Sequence, residues 1–225
     1  MKGYRIHFIR HAVCEANEQG VFCGITESPV SANGRRELMA KASEFIYPPA
    51  DKVYVSPMRR CIETAAFLYP EGYARVVPEL REMNFGDFEG KKLTDLQNLP
   101  EYKEFLKGGL DNAPPNGESL RSMVQRCYEG IDFIIKDMMK NGYDNAAVVT
   151  HGGVIMNMMG CFGLPKYPAN DYVCDFGDGY TVMVTAQMWQ VSGRLRSWVC
   201  SLIIRNSLRF RTNFTPIFPS AHAGG

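Results

Sequence analysis

Tyr4-Arg5-Ile6-His7-Phe8-Ile9-Arg10-His11 is the stretch whose reading decides the fold. Ile6, Phe8 and Ile9 make a short apolar run suited to a strand buried on both faces of a parallel sheet, and the polar pair Arg10-His11 ends it. Downstream, strands and helices alternate. Ser31 is an N-cap for a helix running to about Phe45, and Asp51–Val55 reads as a second strand. That strand gives way at Ser56-Pro57 to a helix through Leu68, with proline at its first position. Arg75–Val77 is a weaker strand. Leu120, Met123, Val124, Cys127, Ile131, Ile134, Ile135 and Met138 keep helical spacing until Gly142 stops the helix. Ala146–Val149 reads as a strand, Gly153–Met159 as a helix, and Tyr180–Thr185 and Leu195–Val199 as two more strands. The alternation predicts an α/β fold, a three-layer sandwich with a mostly parallel central sheet flanked by helices. With no internal repeat and no low-complexity linker, one domain is expected over residues 1–199. A polar, Gly- and Pro-containing insertion at about 78–118 carries a helix at Glu101–Lys107, and a divergent basic tail follows at 200–225.

Composition narrows the function classes. The chain has 225 residues, 22% charged and 45% hydrophobic, which excludes a disordered, collagen-like or small disulfide-stapled protein. Its formal net charge of +1 gives no global excess to attract nucleic acid or an anionic membrane. No apolar stretch reaches the ~18 residues of a membrane span. The opening MKGYRIHFIRH has too short an apolar run for a signal peptide, so the seven cysteines are expected as free thiols in a reducing cytoplasm. After Asp178 there is no acidic residue and there are five arginines, Arg194, Arg196, Arg205, Arg209 and Arg211. The stretch RNSLRFRTNF (205–214) would suit an anionic surface, but a translated frameshift or a poorly ordered appendage would look the same, and that plainer reading is preferred.

In open α/β sheets ligands sit at the carboxyl ends of the strands. That rule singles out Arg10-His11, Ser56 to Arg60, and Thr150-His151. Neutral imidazole is a nucleophile toward phosphorus, and guanidinium matches phosphate bidentately. A helix N-terminus near Pro57 or Gly152 would add N–H donors. Two histidines among arginines therefore suit phosphoryl transfer. The proton donor for the leaving group is open on the residues alone among Glu82, Asp87 and Glu89.

These segments carry a resemblance. FIRHAVCEAN resembles the phosphohistidine signature of the histidine phosphatase superfamily, which includes the cofactor-dependent phosphoglycerate mutases. GITESPVSANGRREL, SPMRRCIETA, LREMNFGDFEG and VTHGGVI are similar to its following loop and helix, second arginine motif, acidic segment and second-histidine motif. The likeness runs from about residue 4 to residue 187. It implies His11 as the nucleophile that becomes phosphohistidine. Arg10, Arg60 and His151 would hold the phosphoryl oxygens, and Glu82 would serve as general acid and then base. It further implies Asn17, Gly24 and Gly152 at the substrate, with no metal and no cofactor. The expected substrate is a small phosphorylated metabolite.

Two positions depart from the family pattern. Ala12 stands where glycine is usual, and Cys14 where a small hydroxyl residue is common. The interval from Glu82 to His151 holds DNAPPNGESL and one long helix, and its only lysines are Lys91, Lys92, Lys103, Lys107, Lys136 and Lys140. The first four suit helix or surface positions, and the interval is similar to the phosphatase branch, such as α-ribazole phosphatase, rather than the mutases. Hydrolysis of a phosphomonoester is the leading reading. A mutase is the alternative, and a non-catalytic phospholigand-binding protein ranks below both. His7 is read as a packed or edge histidine, Arg59 as a surface charge, and Arg35, Arg36 and Arg81 as ordinary helix or loop charges. His11, Cys14 and Cys23 match no closed zinc pattern.

Overall fold

The computed structural model describes residues 2–201 and 204–205. In chain order its elements are β1 (Gly3–Arg10), α1 (Glu15–Gln19), α2 (Ala32–Glu44), β2 (Phe45–Ile46), β3 (Lys52–Val55), α3 (Arg59–Leu68), β4 (Ala74–Val76), α4 (Leu93–Leu96) and α5 (Pro100–Leu106). There follow α6 (Leu120–Asn141), β5 (Asn145–Thr150), α7 (Gly152–Phe162), β6 (Gly163–Leu164), β7 (Gly179–Thr185), α8 (Ala186–Ser192), β8 (Leu195–Ser201) and β9 (Ile204–Arg205). The main sheet runs β4-β3-β5-β1-β7-β8-β6, with β1 at its centre. β4, β3, β5 and β1 are parallel neighbours, whereas β7 runs antiparallel to both β1 and β8. The sheet is mostly parallel, as the alternation predicted.

Side chains of the central strands alternate between two cores, as a pleat requires. Ile6, Phe8, Ala146 and Val148 face α6 and α7, packing with Ile131, Ile134, Ile135 and Met158. Ile9, Val53, Val55, Ala147 and Val149 face α3 through Cys61 and Ala65. These are the two interfaces of a three-layer sandwich. The insertion has a small aromatic core of its own, where Phe88, Leu96 and Tyr102 pack with Phe22, Phe85 and Phe105. It is tied to the first loop where the Phe22 amide donates to Lys91 O at 2.9 Å and the Gly90 amide donates to Phe22 O at 2.8 Å.

The helix limits follow their capping chemistry. Ser31 Oγ accepts from the Gly34 amide, and Gly142 closes α6 in the left-handed conformation at φ 75°. The helix expected to begin at Pro57 instead begins at Arg59. The Ser56 amide extends the sheet by donating to Val149 O at 3.0 Å, so the chain turns two residues later. Helix α8 was not visible in the sequence: Thr185 ends β7 and caps α8 by accepting the Met188 amide at 3.1 Å. No helix among the described residues is long and apolar enough to cross a membrane. The stretch 206–225, with Arg209 and Arg211, lies outside the described residues.

Ile134 is fully buried between α6 and the sheet. Ile134→Ala is expected to cost about 2–5 kcal/mol, read as a lower urea midpoint at unchanged m-value.

Candidate active site

The sheet brings the two histidines together. His11 follows β1 and His151 follows β5, the direct parallel neighbour, and the His11 amide donates to Thr150 O at 2.9 Å. The rings meet edge to face with centroids 5.2 Å apart, and Phe176 closes the other side of His11 at 5.6 Å.

Hydrogen bonds fix both tautomers. His11 Nδ1 lies 2.7 Å from the Ala12 carbonyl, which only accepts, so Nδ1 carries the proton and Nε2 the lone pair. Arg60 only donates, and its Nη2 lies 3.3 Å from His151 Nδ1, so that atom accepts. His151 Nε2–H then donates to the buried Ser56 hydroxyl at 2.7 Å. Both rings are held neutral. Burial, reinforced by Arg60, pushes His11 down to about 3. Burial, then His11 and Arg60, lower His151 well below the usual imidazole range.

Arg60 is only 1% exposed, and its guanidinium donates to Gly24 O at 2.6 Å and Thr26 O at 3.1 Å. Arg10 donates to Cys174 O at 2.7 Å and stacks on Phe176, 3.7 Å from the ring centre. Its Nε is buried without a partner. A Cβ on Gly152 would meet that nitrogen at 3.0 Å, so the orphan donor lies over the first residue of α7. An unpaired buried N–H at a helix N-terminus is suited to an anion.

Of the three candidate carboxylates, Glu82 alone reaches this centre. Its Oε2 accepts the Gly153 amide at 3.2 Å and its Oε1 accepts the Met83 amide at 2.9 Å. Burial raises its pKa, against those two bonds and the charge of Arg60. Glu89 accepts the amides of Gly24, Ile25, Thr26 and Phe85 and so organises the loop. Asp87 accepts from the Asn116 side chain.

Gly24 is needed as glycine, because a Cβ would fall 1.8 Å from Met83 O. Its N–H is spent on Glu89 and its carbonyl on Arg60, so it shapes the loop around the guanidinium. Asn17 caps α1 by accepting the Cys14 amide at 3.1 Å. Ala12 is buried without a positive φ, its amide donating to Thr64 Oγ1 at 3.0 Å. His7 is a packed histidine on Thr181, and Arg59 an exposed partner of Glu63.

Sequence reasoning missed the long-range bonds that hold these groups. Thr150 Oγ1 donates to Leu80 O at 2.8 Å, tying the acidic segment to β5. Arg126 donates to the carbonyls of Glu79, Arg81 and Glu82 and pairs with Glu118 through both carboxylate oxygens at 2.7 Å. The only signal for Arg126 was an arginine beside the apolar stripe of α6. The Cys61 thiol lies 3.5 Å from His151 Nε2. No group of three or more His, Cys, Asp or Glu among the described residues is arranged to hold a metal ion.

The sequence model of the histidine phosphatase superfamily (branch 1) matches residues 6–192. A protein of Hydrogenobacter thermophilus named "Putative phosphoserine phosphatase 2" is 31% identical over 153 residues, 67% of this chain and 74% of its own length. The adenosylcobalamin/alpha-ribazole phosphatase of Escherichia coli is 28% identical over 155 residues, 67% of this chain and 75% of its own. The crystal structure of the alpha-ribazole phosphatase from Shigella flexneri superposes with a TM-score of 0.69 at 25% identity, covering 81% of this chain and 92% of that one.

Two outcomes follow from this geometry. Arg126→Met leaves Glu118 buried and uncompensated and three carbonyls without their donor, so a loss of about 3–5 kcal/mol is expected in chemical unfolding. Glu118→Gln keeps the carbonyl bonds and should lose less. The second concerns acid. Below its ordinary pKa near 6.5 an unfolded histidine binds a proton that folded His11 refuses down to about 3. The unfolded state then holds more protons, so His11 favours folding fully above pH 6.5 and progressively less as pH falls toward 3. Urea titrations at pH 7.5 and pH 5 should show a smaller pH-dependence for His11→Asn than for the parent.

Proposed function

From its membership of the histidine phosphatase superfamily, to which this chain belongs, we propose that the protein is a phosphomonoester hydrolase acting through a phosphohistidine on His11. The observation that carries the reading is the His11 tautomer, with Nδ1–H bound to Ala12 O and the lone pair left on Nε2. Nε2 attacks phosphorus; the N–P bond forms as the P–O bond to the alcohol breaks, and the leaving oxygen takes the Glu82 proton. A water then gives a proton to the Glu82 carboxylate, its oxygen bonds to phosphorus, and the N–P bond breaks to release inorganic phosphate.

Charge in the transition state lies on peripheral oxygens, where fixed positive groups act best. Arg60 and the Arg10 Nε supply them, with Gly152 at the start of α7, while His151 donates once the dianion has raised its basicity. Asn17 offers its amide NH2 from the end of the first motif. The arginines do the electrostatic work of a metal, so chelators are expected to leave activity unchanged. The raised pKa of Glu82 suits a general acid near neutrality. Free thiols at Cys14, Cys23, Cys61, Cys127, Cys161 and Cys174 fit a reducing cytoplasm.

Hydrolysis is favoured over phosphoryl return because Lys91, Lys92, Lys103 and Lys107 all lie exposed on the insertion. With 3-phosphoglycerate and a trace of its bisphosphate, phosphate release should outpace isomerisation; the reverse order would make the protein a mutase.

His11→Ala is expected to abolish turnover and acid-labile phosphoenzyme together. Labile phosphate trapped on His151 would overturn the assignment. Glu82→Gln should slow alkyl phosphates by ~10²–10⁴-fold. Aryl phosphates, whose leaving groups need little protonation, should lose much less. Equal losses would move the acid elsewhere.

A further inference from the structure

Arg81 adjoins Glu82 in the chain, yet its guanidinium has no hydrogen bond or ion pair among the described residues. It lines a cavity of about 500 Å³ together with Ile25, Asn84, Glu118, Ser119 and Ser122. Gly117, Glu118, Ser119 and Ser122 come from the stretch that leads into α6, and Ile25, Arg81 and Asn84 belong to two segments that frame the candidate site. Ile25 follows Gly24, whose carbonyl holds Arg60, and Arg81 and Asn84 flank the Glu82-Met83 turn whose carboxylate faces α7. The cavity thus adjoins the segment carrying Glu82, the residue that protonates the leaving oxygen on the hydrolase reading.

The charge of the cavity can be assigned. Its one acidic lining residue, Glu118, is committed to Arg126 through both oxygens. Asn84 and the two serines are neutral hydrogen-bonding groups. Arg81 is therefore the uncompensated charge, in a concave space large enough for a small organic group. Guanidinium is matched to a planar carboxylate or to a second phosphate. The sequence suggests an ordinary loop charge here, and the structure puts that charge on the wall of a cavity.

We propose that Arg81 is a specificity residue, selecting phosphomonoesters whose alcohol carries a second anionic group, with Asn84, Ser119 and Ser122 receiving the intervening polar atoms. The proposal rests on the hydrolase reading above. It assigns Arg81 no part in bond making or breaking.

The test compares kcat/KM for 3-phosphoglycerate and glycerol 1-phosphate, which differ by a carboxylate against a hydroxymethyl group. The parent should favour the carboxylate by about 10- to 100-fold, the range of one charge-assisted hydrogen bond. Arg81→Met should bring the ratio close to one, and Arg81→Lys should retain part of it. Arg81→Glu should shift preference toward ethanolamine phosphate. Each readout is a ratio within one variant, so a partly unfolded preparation does not distort it. A parent ratio near one, or a ratio untouched by Arg81→Met and Arg81→Glu, overturns the assignment. Failure of the parent to hydrolyse p-nitrophenyl phosphate, which needs no anion subsite, overturns the hydrolase reading instead.

Discussion

Arg60 buries a full positive charge with no carboxylate partner among the described residues, and the site is arranged around that fact. Burying an ion is costly unless every donor is met. Here main-chain carbonyls of the Gly24–Thr26 loop and a neutral imidazole meet it, so the charge is solvated without being cancelled. A carboxylate in that place would have been cheaper and would have left no attraction for a phosphate. Burial, reinforced by the same charge, keeps His11 and His151 neutral, which leaves a lone pair on His11. Gly24 and Glu89 are consequences of the same constraint. Only glycine lets the loop pass Met83 O, and only an acceptor such as Glu89 gathers the amides on its other side.

Glu82, the acid on the hydrolase reading, is held by a second frame. Glu82 sits in a short extended segment with few regular hydrogen bonds of its own, so its position is borrowed from two larger elements. Thr150 fixes the segment to the end of β5, one residue before His151. Arg126 fixes it to α6 through three carbonyls, and Glu118 keeps that guanidinium oriented. His11 and Glu82 are thereby referenced to the same strand. A rigid strand end holds geometry better than a loop would, and placement is most of what phosphoryl transfer asks of a protein.

Much of this was legible in the sequence because it rests on local signals. The apolar run Ile6–Ile9, the cap at Ser31 and the stop at Gly142 each act within a few residues, and each is where it was expected. The strand ends then followed from topology, which is why His11, His151 and Arg60 were found together. What escaped was long-range. The start of α3 moved to Arg59 because β5 holds Ser56, a partner far away in sequence. Arg126 looks like any polar residue beside a helical stripe, and its meaning lies in carbonyls some 45 residues earlier. Likewise, nothing in the sequence separates Arg81, which faces a cavity, from Arg59, which faces solvent.

On the hydrolase reading, the substrate's own charge completes the site. Arg60 opposes the protonation of Glu82 and adds to burial in lowering both imidazoles. A phosphoryl dianion bound between Arg10 and Arg60 cancels that field. Glu82 then holds its proton more firmly, as the acid must, and His151 gains the basicity to become a donor. His11 feels the same change, yet its Nδ1 proton is already placed on Ala12 O and phosphorus occupies the Nε2 side, so its lone pair is spent on the N–P bond. The charge that makes the pocket expensive to fold is thus the charge through which substrate binding sets each protonation state in the direction the reaction requires.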